Sequence, residues 1–328
     1  MKKVQGDTVR WGIIGVGDVC EIKSAPAMQK IDRSSVVAVM RRNALKAEDY
    51  ARRHGIDTWY DSAKDLINDP NVNAIYIATP PHVHAEYTIA AAEQGKPVYV
   101  EKPMARSYQE CQDMIEACER HQVPLYVAYY RRKLPNYEKI ISLVREGAIG
   151  DVRAVDIRII KPIEPDLIAD SSENWRTDPS IAGGGYFYDL ASHQLDFLDY
   201  LFGPIVKASG IKRNQAGLYS AEDIVMGCFE FENGVLGSGT WCFTAALVSE
   251  VEETRIIGAK GQIRFENFGN NQVILKSDTV HESFKFNMPQ HVQQPLIQTV
   301  VDDLLGESEC PSTGVSAART NWVMEQFV

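Results

Sequence analysis

The first half of the chain alternates short apolar runs with longer amphipathic segments. Val9-Arg10-Trp11-Gly12-Ile13-Ile14 opens the series, and further runs follow at residues 35–40, 58–60, 74–78, 98–100 and 125–128. These runs are near-continuous rather than alternating, the pattern of strands buried on both faces. Between them, residues 45–54, 62–68, 85–94 and 108–121 read as helices. Local signals agree: Asp61 is placed to cap the second of these helices, Gly95 to end the third, and Ser107-Tyr108-Gln109-Glu110 has capping-box spacing. Strand–helix alternation of this kind predicts an α/β domain, a doubly wound parallel sheet covered on both faces.

From about Tyr130 the rhythm changes. Residues 136–146 form a helix ended by Gly147, and 151–160 a long strand. A polar loop with Pro162, Pro165 and Pro179 leads to Gly183-Gly184-Gly185 and one long helix, Tyr186–Phe202. Strands then recur at short spacing: 205–212, 223–232, 235–244, 250–257 and 262–265. Asn233-Gly234 marks a hairpin, because both residues tolerate positive φ. Two closing helices are expected at 295–305 and 315–328. The expected division is residues 1–129, a dinucleotide-binding domain, and 130–328, an α+β domain rich in antiparallel strands.

Charge and cysteine content narrow the function classes. With 34 basic and 44 acidic residues the formal net charge is −10, which argues against nucleic-acid and anionic-membrane partners. No run is long enough to span a bilayer, and the apolar stretch at 9–16 is too short for a secretory signal. Six cysteines show neither Cys-x-x-Cys nor zinc spacing, so they read as reduced, packed thiols of a cytoplasmic protein.

Four stretches carry candidate chemistry. Gly15-Val16-Gly17-Asp18-Val19-Cys20 follows the first strand, where a glycine turn brings backbone N–H groups to a dinucleotide pyrophosphate. The second strand ends in Arg41-Arg42, with Lys46 on the next helical turn and no acid to hold a ribose 2′-hydroxyl. This cluster suits a 2′-phosphate, so NADP(H) is the expected cofactor and NAD(H) the alternative. Its bland reading is a solvated basic turn.

The fifth strand runs out into Glu101-Lys102-Pro103, placing Lys102 at the carboxyl end of the sheet, where such sheets bind ligands. On Tyr186–Phe202, Asp189, His193, Asp196 and Tyr200 recur along one face. Periodicity alone favours a solvated polar stripe. The glycine triplet before it and an imidazole flanked by carboxylates point instead to proton transfer. His82-x-His84 lacks accompanying ligands at metal spacing, and no metal site is expected.

In order, Gly15-x-Gly17, Thr79-Pro80-Pro81-His82-Val83-His84, Glu101-Lys102-Pro103, Gly183-Gly184-Gly185, Asp189, His193 and Asp196 resemble the Gfo/Idh/MocA oxidoreductase family over nearly the whole chain. Gly258-Ala259-Lys260-Gly261 is similar to a turn in that family's second domain. The resemblance implies a Rossmann domain followed by an α+β domain with a large, mainly antiparallel open sheet. It implies NAD(P)-dependent redox chemistry on a sugar, polyol or related small molecule, and a homo-oligomer, dimer or tetramer, formed through that sheet.

By the same resemblance Lys102 and His193 take the catalytic positions and Asp189 supports them. Gly15, Gly17, Asp18, Val19, Arg41, Arg42, Lys46, Thr79, Pro80, Pro81, His84, Glu101 and Lys102 line the cofactor, with Tyr129 and Arg131 on the nicotinamide side. Trp175 and Arg176 join Asp189 and His193 at the substrate. Two other functions fit the same fold: a non-catalytic nucleotide-binding regulator, and a glycosidase that uses NAD for transient oxidation.

Overall fold

The computed structural model describes residues 4–163 and 174–328, and the chain divides into two compact units. The first comprises Met1–Tyr130 with Pro289–Ala318, the second Arg131–Met288 with Arg319–Val328. The contiguous division at residues 129 and 130 did not contain this return of the chain to the first unit.

The first unit runs β1 (Val9–Ile14), α1 (Asp18–Ile22), α2 (Ala25–Lys30), β2 (Ser34–Met40), α3 (Ala44–His54), β3 (Thr58–Tyr60), α4 (Ala63–Asn68), β4 (Ala74–Ile77), α5 (His84–Glu93), β5 (Val98–Val100), α6 (Tyr108–Arg120) and β6 (Leu125–Val127). Among the described residues the strands form one six-stranded parallel sheet in the order β3-β2-β1-β4-β5-β6. The order reverses between β1 and β4, the switch point at which a sheet of this kind opens a crevice for a ligand.

The segment after β1 forms two short helices, and Pro26, which has no N–H to donate, lies in the first turn of α2. Ser62 rather than Asp61 caps α4, accepting from the Asp65 N–H at 3.4 Å. Ser107 caps α6 at 3.1 Å, while the Glu110 carboxylate accepts the Arg106 N–H at 3.0 Å in place of the reciprocal bond of a full capping box.

Side chains divide between two cores by the period of two. Val9, Trp11, Ile13, Ala74, Tyr76 and Tyr99 face one core; Ile14, Ile75, Ile77, Val98 and Val100 face the other. Helices α1, α2 and α3 pack on the first core, and α4, α5 and α6 on the second. Because the crossovers into β5 and β6 both lie on the second face, the first face of that half has no crossover helix. The return helix Gln294–Leu305 fills it with Leu296, Ile297, Val300, Val301 and Leu304. A side chain of this size contributes about 1.5–3 kcal/mol on full burial, so this helix is integral to the core.

The second unit runs α7 (Pro135–Arg145), β7 (Val152–Ile160), α8 (Pro179–Ala182), α9 (Tyr186–Phe202), β8 (Ile205–Arg213), β9 (Ile224–Phe231), β10 (Leu236–Cys242), β11 (Val251–Gly258), β12 (Gly261–Phe265), β13 (Gln272–Ser277) and β14 (His281–Lys285). Its sheet has the order β14-β13-β12-β11-β7-β10-β9-β8. Among the described residues β7 and β10 pair in parallel, and the other neighbouring strands are antiparallel.

The hairpin at Asn233-Gly234 joins β9 to β10, with Gly234 at φ +83°. Strands β13 and β14 were not anticipated; β14 is an exposed edge of charged and polar residues, which blunts further pairing but hides the apolar signal. Phe187, Leu190, Ala191, Leu195 and Leu198 of α9 pack with Val155, Ile157, Ile159, Val225 and Trp241 of the sheet. Among the described residues no helix is long and apolar enough to cross a membrane.

Candidate active site

In the first unit the glycine turn follows β1 directly. Gly15 has φ +93°, and a Cβ there would meet Thr79 Cγ2 at 2.6 Å and Thr79 N at 3.0 Å. The Gly15 and Val16 N–H groups are taken by the Met40 carbonyl at 2.9 and 3.2 Å. Gly17, Asp18 and Val19 stand at the start of α1, where N–H groups have no intrahelical acceptor. A Cβ at Gly17 would meet nothing within 4 Å. The residues therefore fit a dinucleotide: one glycine is closed against its neighbour loop, and the other faces open space.

Gly15→Ala is expected to weaken nicotinamide dinucleotide binding about tenfold or more, because it forces a side chain into a left-handed residue and pushes Thr79 away. A fluorescence titration checks this, and unchanged affinity would contradict it.

Beyond the switch point, Thr79-Pro80-Pro81 leaves β4 and Glu101-Lys102-Pro103 leaves β5. The Lys102–Pro103 peptide is cis. Glu101 is buried; its Oε1 accepts from the Tyr76 hydroxyl at 2.8 Å and from Gln293 Nε2 at 2.6 Å, and its Oε2 accepts the Lys102 N–H at 3.2 Å. Gln293 comes from the returning segment, which also explains why the sequence did not reveal it. Lys102 is half-buried at the carboxyl end of β5.

Two residues expected to line the cofactor are buried. Tyr129 has no exposed surface and belongs to the second core of the first unit. His84 is also fully buried, with Nε2 2.7 Å from the Thr79 carbonyl and Nδ1 3.2 Å from that of Met104. It stands behind the loop rather than on its surface.

In the second unit α9 brings Asp189 and His193 one turn apart on the same side. Gly185 is its N-cap and has no side chain to offer. The Glu222 carboxylate accepts the N–H of Gly185 itself at 2.7 Å, the bond that the acidic residue of a capping box would make. The glycines permit this approach, since a Cβ on Gly184 would meet the Tyr188 ring at 2.2 Å and one on Gly185 the Glu222 carbonyl at 2.7 Å. Burial pushes the Glu222 carboxyl above its ordinary range. Arg176 Nε lies 3.2 Å from Asp189 Oδ2, and its guanidinium stacks over Trp175 at 4.5 Å. The structure thus brings Trp175, Arg176 and Asp189 together. Residues 164–173 of the expected substrate loop, with Pro165, lie outside the described residues.

The polar face of α9 is not solvated. His193 is 4% exposed, and Asp196 and Asp199 are buried against arginines from distant segments. Arg132 Nε donates to Asp196 Oδ2 at 2.9 Å and stacks over Tyr200 at 5.0 Å; Arg319 Nε donates to Asp199 at 3.0 Å. Phe268 was missed by sequence reasoning. Its ring meets His193 edge-on at 5.9 Å and Arg131 at 4.6 Å.

Arg131, expected near the nicotinamide, is buried and donates to the Asn267 carbonyl at 2.7 Å. The loop carrying Asn267 and Phe268 is fixed by buried Glu252, which accepts both their N–H groups at 3.0 and 3.1 Å. Nothing in the spacing of Glu252 and Phe268 links them; only the sheet register does.

A family model described as an oxidoreductase family with an NAD-binding Rossmann fold matches residues 9–129, and the Gfo/Idh/MocA C-terminal domain model matches residues 137–264. Oxidoreductase P35 of Formosa agariphila is 41% identical over 97% of this chain and 98% of its own length. The 1,5-anhydro-D-fructose reductase of Ensifer adhaerens is 28% identical over 77% of this chain and 74% of its own. Levoglucosan dehydrogenase, solved with NADH and levoglucosan, superposes with a TM-score of 0.86 at 22% identity, covering 98% of this chain and 96% of that one.

The expectation of NADP(H) is corrected. Levoglucosan dehydrogenase shares the fold and holds NADH in its complexes, and the matching family model is NAD-binding. The physical reason lies in the basic cluster itself. Arg41 Nη1 donates to the Val16 carbonyl at 3.1 Å, tying the second strand to the glycine turn, and Arg42 and Lys46 are exposed. The chain belongs to the Gfo/Idh/MocA family and is an NAD(P)-dependent oxidoreductase.

Proposed function

We propose that the chain is an NAD(H)-dependent dehydrogenase that interconverts a carbinol and a carbonyl carbon of a sugar or polyol. The observation that carries this reading is Asp189 and His193 one turn apart on α9, with Asp189 paired to Arg176 over Trp175. Relatives named 1,5-anhydro-D-fructose reductase, levoglucosan dehydrogenase and myo-inositol 2-dehydrogenase support the substrate class.

The nicotinamide, when bound, supplies the hydride acceptor or donor. Gly17, Asp18 and Val19 N–H groups receive the pyrophosphate, and Thr79, Pro80, Pro81 and Glu101 line the remainder of the cofactor. His193 exchanges the proton of the substrate oxygen, and Lys102 supplies positive charge at the carboxyl end of β5. Asp189 holds the substrate side of the site together with Arg176 and Trp175. Steady-state assays with NAD(H) across polyols, aldoses and ketoses test the reading, with turnover expected for at least one class. Tight NADH binding without any turnover would favour a non-catalytic regulator.

The oligomer forms through the outer face of the second sheet. Ile211 and Met226 are opposed across β8 and β9, and with Leu236 they leave 66%, 53% and 57% of their surface exposed on the face away from the core. Light scattering is expected to give a multiple of the 36.7 kDa chain mass. A monomer at micromolar concentration would contradict it.

A further inference from the structure

The segment that returns to the first unit carries two buried polar residues, His291 and Gln293, just before the return helix. Gln293 is the N-cap of that helix, yet its side chain makes no bond to the first turn, where Pro295 has no N–H to give. Its amide is committed to the sheet instead. Nε2 donates to Glu101 Oε1 at 2.6 Å, and the amide oxygen accepts from the Tyr99 hydroxyl at 3.2 Å. A carboxylate only accepts, so the amide nitrogen faces Glu101 and the oxygen faces Tyr99.

His291 sets the place of this segment. Its Nδ1 lies 2.6 Å from the Ile22 carbonyl at the end of α1, and its Nε2 lies 2.8 Å from Lys30 Nζ at the end of α2. The carbonyl needs a donor and the ammonium an acceptor, and the neutral ring protonated at Nδ1 supplies both. Lys30 Nζ also donates to Gln290 Oε1 at 2.8 Å. The segment is therefore pinned to α1 and α2 immediately before Gln293 reaches β5 and the loop beyond it.

These contacts converge on one carboxylate. Glu101 Oε1 takes two donors, the Tyr76 hydroxyl at 2.8 Å from within the sheet and the Gln293 amide from the returning segment. Its Oε2 is left to face the Lys102 N–H at 3.2 Å. Donors from two separate parts of the chain thus fix the rotation of the carboxylate.

We propose that Gln293 is a positioning residue for the cofactor site: its amide holds the Glu101 carboxylate, at the carboxyl end of β5, in the orientation that lines the dinucleotide. The inference rests on the reading of Glu101 as a cofactor-lining group.

The test is a double-mutant cycle read by NADH titration, following nicotinamide fluorescence, with the melting temperature of each protein recorded. Gln293→Met keeps the length of the side chain and removes the amide; Gln293→Asn keeps the amide but draws it back by one methylene. Each is expected to lose about tenfold in NADH affinity, because a hydrogen bond to a charged group is lost. Glu101→Met removes the acceptor. In that background Gln293→Met is expected to change NADH affinity by less than about twofold, since no carboxylate remains for the amide to hold.

A residue that served only to start the return helix would cost the same in both backgrounds. Equal losses with and without Glu101, or an unchanged NADH affinity in both Gln293 variants, would overturn the inference. Wild-type protein that does not bind NADH, or a Glu101→Met variant that binds it as wild type does, would instead overturn the cofactor reading of Glu101, and the inference with it.

Discussion

Replacing His193 by asparagine is expected to lower turnover by about 10²-fold or more while NADH still binds, since a positioned proton-transfer group contributes about 10²–10⁴-fold. Asparagine keeps polarity and approximate size beside Phe268 but carries no proton that titrates near neutrality. The apolar contacts of α9 to the sheet hold the helix, so the loss is expected on kcat, and a melting curve of the variant checks that the buried site tolerates the change.

Lys102→Met retains the length of the side chain and removes its charge, so it isolates what that charge contributes to turnover. Its expected loss is of similar order, about 10²–10³-fold. Steady-state kinetics with a parallel NADH titration separate chemistry from binding. Unchanged turnover in both variants would remove the proposed assignment.

Arg132→Met is expected to destabilise the second unit by about 3–5 kcal/mol, because it leaves the Asp196 carboxylate buried without its cation. Both side chains are 1% exposed, and burial already pushes the Asp196 carboxyl up to about 6 against the opposing pull of Arg132. Asp199 adds to the rise, and Arg319 offsets part of it.

Without Arg132 the carboxyl must rise further. A carboxyl whose folded pKa lies above its unfolded value contributes stability below the unfolded pKa and loses it as pH climbs through the folded one. The penalty of Arg132→Met should therefore be largest near about pH 8 and shrink toward about pH 5 as Asp196 protonates. Denaturant melts across that range check the sign, and a penalty that grows on acidification would contradict it. Arg132→Met combined with Asp196→Leu should recover most of the loss, since the charge goes with its partner.

The parts of the fold that could be read in the sequence are those with local causes. Continuous apolar runs, the Ser107 cap, the Asn233-Gly234 turn and the glycine turn after β1 each depend on a few adjacent residues, and each recurs in the structure. Features with distant partners could not be read. The return helix is indistinguishable by its own pattern from any amphipathic helix. Its place follows only from the face that α5 and α6 leave uncovered. The polar stripe of α9 looked solvated because Arg132 and Arg319, which bury it, lie 64 and 120 residues from their aspartates.

The candidate site divides the same way. Lys102 at the end of β5, and Asp189 and His193 one turn apart on α9, follow from local spacing, whereas Gln293 meets Glu101 through the returning segment and Phe268, Glu222 and Glu252 meet their neighbours through sheet register or a loop. The cationic turn at Arg41-Arg42 misled because charge at a strand end was taken for ligand recognition. The hydrogen bond from Arg41 to Val16 shows instead a tether within the domain.

The central claim is hydride transfer between nicotinamide and a sugar or polyol carbon, and isotope transfer tests it most directly. Protein is incubated with NADH deuterated at the nicotinamide C4 and with a panel of aldoses and ketoses, and the products are examined by mass spectrometry. The account predicts a polyol or reduced sugar carrying one deuterium at the new carbinol carbon, formed in step with NADH loss and greatly diminished in His193→Asn. Product without deuterium, or bound NADH that is never consumed, would contradict it.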